Sequence, residues 1–414
     1  MKRNVLIVGA GGVAQVVAHK CAQHAERLGD LHIASRTVAK AEAIVAGVRA
    51  KHDVPFGVHA LNAMDSGAVA ALIRAVGAQI VINVGASFVN MSVLDACIAT
   101  GAAYLDTAIH EDPGKVCETP PWYGNYEWKR REACAAAGVT AILGVGFDPG
   151  VVNAWARLAE DAHLDTIESI DIVDINAGSH GRYFATNFDP EINFREFTGT
   201  VWSWQQSRWQ ANAMFEVGKV WEMPVVGPQK AYLTGHDEVH SLAARYPGAD
   251  VRFWMGFGDH YINVFTVLKN LGLLSEKPVR TAEGVEVVPL KVVKAVLPDP
   301  ASLAPTYQGK TCIGTLVRGT REGRPAEVML YNVADHAEAY AEVGSQGISY
   351  TAGVPPVAAA LLIADGTWDV GRMANVEDLD PRPFLHLLNQ MGMPSRIRDA
   401  AGDRALDFTE MSFA

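Results

Sequence analysis

Apolar and polar positions follow two rhythms along this chain, and the change falls after residue 150. Asn4-Val5-Leu6-Ile7-Val8 is a short β-branched run of the kind found in strands buried on both faces of a parallel sheet. Val13 to Leu28 then lacks Gly and Pro and is apolar at Val13, Val16, Val17, Cys21 and Leu28, an amphipathic helix. Further strands are expected at Leu31–Ser35, Phe56–Leu61, Gln79–Val84, Ala103–Thr107 and Val139–Leu143. Between them, Asp65-Ser66 can cap a helix, and Met91–Thr100 and Trp122–Ala137 read as helices. Strands alternating with helices at this spacing predict an α/β fold with a doubly wound parallel (Rossmann) sheet. Such sheets bind ligands at the carboxyl ends of their strands, which nominates Asn83-Val84-Gly85, Asp106-Thr107 and Asp148-Pro149-Gly150. In the last of these, Pro149 suits a first helical position and Asp148 its N-cap.

From Thr166 the pattern changes. Ile167 to Ile175 alternates as a strand with one wet face does. Later candidates are Val251–Met255, Val285–Pro289, Cys312–Arg318 and Ala326–Val333, so an α+β substrate domain with a mixed or antiparallel sheet is expected. Helices return after Gly353, with Val357–Ala364 following Pro355-Pro356 and another at Pro381–Met391. At 414 residues the chain exceeds one comfortable core. The expected division is a Rossmann domain over 1–150, a catalytic and dimerisation domain over 151–350, and C-terminal helices over 351–414 returning to the Rossmann side.

Gly9-Ala10-Gly11-Gly12-Val13-Ala14 lies between the first strand and the first helix. In that setting G-x-G-x-x-A is a dinucleotide fingerprint: Gly9 for the tight turn, Gly11 for close approach to a pyrophosphate, Ala14 for helix-on-strand packing. Gly12 and Val13 supply the first helical N–H groups. The second strand ends in Ser35-Arg36-Thr37, where an NAD site usually carries a carboxylate for the ribose 2′-OH. A guanidinium flanked by hydroxyls suits a 2′-phosphate instead, so the cofactor is expected to be NADP(H).

Composition narrows the class further. The chain is 49% hydrophobic and 20% charged, a soluble globular balance, and its net charge of −11 weighs against a nucleic-acid partner. Five cysteines without a C-x-x-C pair suggest reduced thiols in a cytoplasm. Met1-Lys2-Arg3 before an apolar run resembles the start of a signal peptide, but the run breaks at Gly9. Val357–Ala364 is too short to span a bilayer, and no membrane partner is expected.

The opening Val-Gly-Ala-Gly-Gly-Val-Ala, the Ser-Arg-Thr strand end and Gly146-Phe147-Asp148-Pro149-Gly150 resemble the saccharopine dehydrogenase superfamily. Gly199-Thr200-Val201-Trp202-Ser203-Trp204, Gly235-His236-Asp237-Glu238, Arg252-Phe253-Trp254-Met255 and Asn375–Pro381 narrow the resemblance to its carboxynorspermidine (carboxyspermidine) synthase branch. The resemblance implies NADPH-dependent reductive condensation of L-aspartate β-semialdehyde with a diamine, 1,3-diaminopropane or putrescine, in polyamine biosynthesis. It also implies a homodimer.

That chemistry needs a proton shuttle for dehydration, a cation for the amino acid's carboxylate, and acidic or aromatic groups for the amine. The candidates for proton handling are Asp148, His180, His236 and Glu238; for substrate binding, Arg182, Arg195, Trp202 and Trp204. The tryptophans could equally be core or interface packing. His236-Asp237-Glu238-Val239-His240 lacks the Glu directly after the first His that a zincin helix needs, so no metal is expected. Alternatives are a saccharopine dehydrogenase or homospermidine synthase on the same scaffold, or an NADPH-sensing binding protein without turnover.

Overall fold

A computed structural model describes residues 2–112 and 119–408. Six parallel strands build the N-terminal half: β1 (Val5–Val8), β2 (Leu31–Ser35), β3 (Phe56–Ala60), β4 (Ile80–Asn83), β5 (Ala103–Asp106) and β6 (Ala141–Leu143). They lie in the order β3-β2-β1-β4-β5-β6, the Rossmann order with its switch point between β1 and β4. A seventh parallel strand, Met373–Asn375, joins at β6 from far down the chain. β1 and β4 are buried along their whole length, as their apolar runs require. The predicted helix over Trp122–Ala137 is instead three short pieces, Trp122–Asn125, a 3₁₀ turn at Glu127–Arg130 and Arg131–Ala137.

The second sheet has ten strands and is mixed. From one edge it runs Gly218–Met223, Gly227–Thr234, Asp250–Gly256, Thr166–Asn176, Lys310–Arg321, Arg324–Asp335, Arg396–Asp399 and Gly402–Ala405. The hairpin Val201–Gln205/Arg208–Asn212 attaches to Asp250–Gly256. Thr166–Asn176 is central, parallel to Asp250–Gly256 and antiparallel to Lys310–Arg321. Ile170 to Val173 are therefore buried on both faces, and the expected wet face is confined to the start of the strand. Val285–Pro289 yields only Glu286–Val287, in a separate two-stranded ribbon.

Helix Gly347–Asp365 begins before Pro355-Pro356 and passes through both prolines, whereas the sequence suggested a shorter helix after them. Each interior proline costs about 3 kcal/mol. Burial of nearly every residue from Gly347 to Ile363 outweighs it. The helix lies against α1 (Gly12–Gln23) so closely that a Cβ on Gly353 would come within 2.6 Å of Val16 Cβ. By length and hydropathy it could cross a membrane, but 78% of its most apolar window is buried within the protein. The chain then returns to the second sheet through Arg396–Asp399. Cys21, Cys97, Cys134 and Cys312 are free and buried; Cys117 lies outside the described residues.

Candidate active site

The cofactor end is built by the β1–α1 turn. Gly9 has φ +123°, and a Cβ there would sit 2.7 Å from the Val84 carbonyl oxygen, so only glycine lets the turn press against the end of β4. Gly11 is the N-cap of α1 without a side-chain cap, and a Cβ on it would meet no atom within 4 Å. The space beside Gly11, at the start of the helix that Gly12 and Val13 begin, is where a pyrophosphate fits. Gly12 backs onto Ser349 Oγ, 2.8 Å from its would-be Cβ, and Ala14 is buried against the sheet. Val84 and Gly85 lie against Gly9. At the end of β2, Ser35 Oγ accepts from the Thr37 amide (3.2 Å) and Arg36 is exposed. These residues fit NADP(H), which supplies a hydride when bound. Arg36→Ala is expected to raise the KM for NADPH by about 10- to 100-fold, the worth of a charge-assisted contact. NADH use should hardly change; equal effects on both cofactors would deny Arg36 the phosphate.

Asn83 and Asp106 lie beneath this surface. Asn83 Nδ2 donates to Asn90 Oδ1 (2.8 Å), and its Oδ1 accepts from the Gly85 amide (3.3 Å). Asp106, 1% exposed, accepts from the Gly144 amide (2.6 Å), and burial pushes its carboxyl up to about 7. Thr107 packs beside Gly146. The loop after β5 hangs on two more acids: the Ile109 amide donates to Asp237 Oδ2 (2.6 Å) and the His110 amide to Glu127 Oε1 (2.7 Å).

His236 forms the centre of the second half. It is the N-cap of helix Asp237–Arg245, stacked on Phe253 at 4.0 Å. Its Nδ1 is 2.5 Å from Glu238 Oε2 and its Nε2 3.5 Å from Glu196 Oε1. Burial alone would lower its pKa, but Glu238, Glu196 and Asp148 together hold it well above the ordinary value. The pKa values of the acids around it are raised as well. Burial, with Asp174 as neighbour, raises Asp148 far above the carboxylate range. Burial brings Asp174 to about 6 and Glu196 to about 8, with the His236 charge opposing in both. Glu238 is 0% exposed and lies behind His236, whereas Asp148, Asp174, Glu196 and Asp237 keep part of their surface open. Asp148 is not a helix cap. The helix Val151–Leu158 is capped by Gly150, whose amide donates to Asn153 Oδ1 (2.9 Å). Gly150 sits at φ +134°, which leaves the preceding Asp148-Pro149 outside the helix.

A cavity of about 230 Å³ lies beside this cluster, lined by Asp174, His180, Arg182, His260, Tyr261 and Tyr307 among others. His180 Nδ1 accepts from the Arg182 amide (3.1 Å), and burial, with the charges of His260 and Arg182, lowers its pKa. Arg182 is exposed and forms no ion pair among the described residues. Arg195 is different: 4% exposed, it binds Glu111 (3.1 Å), Glu276 (2.6 Å) and the Asp112 carbonyl (3.0 Å), tying the loop after β5 to helix Pro190–Thr198. The tryptophans are divided between the two faces of the sheet. Trp204 packs on Trp209, with its Nε1 donating to the Pro247 carbonyl (3.1 Å), while Trp221 packs on Trp254. Trp202 is half-buried in the same strand as Trp204. His240 shares no site with His236: it is sandwiched between Trp122 (4.3 Å) and Trp209 (4.9 Å), and burial lowers its pKa to about 3.

Sequence reading missed Asp174, Glu196, Asp237 and His260. The one available signal was Asp174, an acid in an otherwise apolar stretch of a central strand. It was not decisive, since Asp171 in that same strand is held by Arg252 (2.7 Å), Arg318 (3.1 Å) and Trp254 (2.9 Å).

A Rossmann sheet with Arg36 at the end of its second strand, in a chain that matches an NADP binding domain, defines an NADP-dependent oxidoreductase. The chain belongs to the saccharopine dehydrogenase family: residues 5–142 match its NADP binding domain and 146–393 its C-terminal domain. Similar proteins include carboxynorspermidine synthases of Vibrio alginolyticus (44% identical, covering 95% of this chain and 97% of that one) and Vibrio cholerae (42%, 94% and 95%). A carboxyaminopropylagmatine dehydrogenase of Synechocystis is 41% identical over 94% of this chain and 96% of its own. The solved structure of saccharopine dehydrogenase (L-Glu forming) from Saccharomyces cerevisiae shares the fold, with TM-score 0.71 at 13% identity, covering 96% of this chain and 100% of that one.

Proposed function

We propose that this protein joins L-aspartate β-semialdehyde to a short diamine, 1,3-diaminopropane or putrescine, by NADPH-dependent reduction of the imine, giving carboxynorspermidine or carboxyspermidine for polyamine biosynthesis. The observation that carries this reading is the ring of carboxyl groups around His236, at the edge of a cavity whose other lining includes Arg182, His180 and His260. The acids suit a doubly cationic amine, and the basic group suits the carboxylate of an amino-acid aldehyde. Arg195, already balanced by Glu111 and Glu276, positions the loop after β5 and leaves the carboxylate to Arg182. Trp202 and Trp204 act by packing.

Asp148 and Asp174 handle the protons. Two buried carboxyls side by side favour sharing one proton, so near neutral pH one is a base and the other an acid. The base takes a proton from the incoming ammonium, and the free amine adds to the aldehyde carbon to give a carbinolamine. The acid then protonates the departing hydroxyl, water leaves, and the iminium carbon is ready for reduction. His236, held as imidazolium by Glu238, offsets the negative charge of the surrounding carboxylates. The expected setting is cytoplasmic, consistent with free buried thiols, and the expected assembly a homodimer.

A second amine is favoured by one finding: the Synechocystis relative is named for an agmatine product. The test is NADPH oxidation with aspartate β-semialdehyde and, in turn, 1,3-diaminopropane, putrescine and agmatine. Oxidation should need aldehyde and amine together. Oxidation with lysine-derived or 2-oxo acid partners alone would return the protein to saccharopine chemistry. Conversion without net NADPH loss would indicate a homospermidine-type cycle, and tight NADPH binding without turnover a sensor.

A further inference from the structure

The turn before helix Gly347–Asp365 clasps the start of α1. Ser345 Oγ donates to the Gly12 carbonyl (3.3 Å), and Gln15 Nε2 donates to the carbonyls of Val343 (2.9 Å) and Gly344 (2.8 Å). Two routes of hydrogen bonds lead from this turn to the cavity: Gln346 Nε2 donates directly to the Asn187 carbonyl (2.9 Å), and a longer chain runs through His336. The Gly347 amide donates to His336 Nδ1 (3.0 Å), which places the ring proton on Nε2, and Nε2 donates to Asn176 Oδ1 (3.0 Å). The Gly178 amide also donates to Asn176 Oδ1 (2.9 Å), fixing that amide's orientation. Asn176 Nδ2 donates to the Tyr307 hydroxyl (2.6 Å), which donates to Asn187 Oδ1 (2.8 Å). Asn176, Tyr307 and Asn187 all line the cavity.

We propose that His336 is a positioning residue that sets the substrate cavity in register with the cofactor turn. The inference rests on reading this cavity as the substrate site. His336 is 0% exposed and lies flat on Tyr307, with ring centroids 3.8 Å apart and planes within 3°. Glycines wall it in: a Cβ on Gly178 would come within 2.6 Å of the ring, and one on Gly347 within 3.1 Å of Nδ1. The ring has no room to flip, and only its neutral form can accept at Nδ1 while donating at Nε2. Burial favours that form, lowering the pKa to about 4; Asp335 pulls it up and His180 pushes it down. Tyr307 carries the arrangement onward, since His180 packs edge-on against it at 5.4 Å. The site's histidine, phenol and two amides are therefore oriented from the segment that touches Gly12.

The experiment is ¹⁵N-histidine NMR on the full-length protein with NADPH as the only added ligand. His336 should appear as the neutral Nε2–H tautomer, and NADPH should move the signals of both His336 and His180. In Tyr307→Phe the His336 response should remain and the His180 response should fall. In steady-state kinetics, His336→Phe, which keeps the stack but not the hydrogen bonds, should lower kcat/KM for the substrates by about 10- to 100-fold. The NADPH dissociation constant should hold, and His336→Gln, which retains a donor for Asn176, should recover part of the loss. Signals that ignore NADPH, or kinetic losses that track only the folded fraction in both His336 variants, would overturn the proposal. Failure of the substrate reading would show separately, as wild-type protein that does not oxidise NADPH with any amine.

Discussion

Asp148→Asn is expected to lower kcat by about 10²- to 10⁴-fold, the usual worth of a positioned acid–base group, with NADPH affinity unchanged. Asparagine keeps the volume and most hydrogen bonds but cannot exchange a proton with Asp174. The wild-type pH profile should be bell-shaped, because below the pair's lower pKa no base remains and above its upper pKa no acid remains. With both carboxyls raised, Asp174 to about 6, the alkaline limb belongs to the pair, and the variant should lose it. Stability supplies an independent sign. A carboxyl whose folded pKa is raised contributes stability below its unfolded pKa and loses it as pH rises through the folded value. Asp148 is thus a liability at pH 8, and the variant's Tm there should equal or exceed that of wild type. A variant with wild-type turnover, or one that melts far earlier at pH 8, would reduce Asp148 to a structural part.

Glu238→Gln should have the next largest effect, and through His236 rather than by touching the amine. Glu238 Oε2 sits 2.5 Å from His236 Nδ1 with no exposure of its own, while Asp237 and Glu196 are partly exposed. The His236 pKa is raised, so the imidazolium's contribution is complete below about pH 6.5 and is lost as pH rises through the folded value. Removing the Glu238 charge leaves burial to dominate and pulls that folded value down. At pH 8 the variant should carry neutral His236, with tenfold less imidazolium for each unit the pKa falls. Activity should drop most on the alkaline side. NMR titration of His236 decides the matter: an unchanged midpoint in the variant would remove Glu238 from this role.

The cofactor half was legible because its chemistry is local. A strand, three glycines and a helix within twenty residues fix the pyrophosphate turn, and Arg36 follows at a set distance. The second half is assembled from four distant pieces: Asp148 after β6, Asp174 in a central strand, Glu196 on helix Pro190–Thr198, and His236 at a helix start. No spacing rule joins them. Charge alone could not tell Arg182, open at the cavity, from Arg195, balanced by two acids. The hairpin at Val201–Asn212 was hidden for a specific reason. Its two-residue turn is Gln206-Ser207, with φ of 53° and 55°, where Asn-Gly would have announced it. The Asp-Pro-Gly turn misled in the opposite sense: its residues have N-terminal capping propensity, but Gly150 takes the cap and leaves Asp148 to the cluster around His236.

The most direct measurement of the central claim is the mass spectrum of the product formed from aspartate β-semialdehyde, diamine and NADPH deuterated at the transferable position. The account predicts one deuterium, on the carbon that was the aldehyde and is now bonded to the diamine nitrogen, with one NADPH consumed per product. Deuterium in an alcohol, or a coupled amine without label, would contradict it.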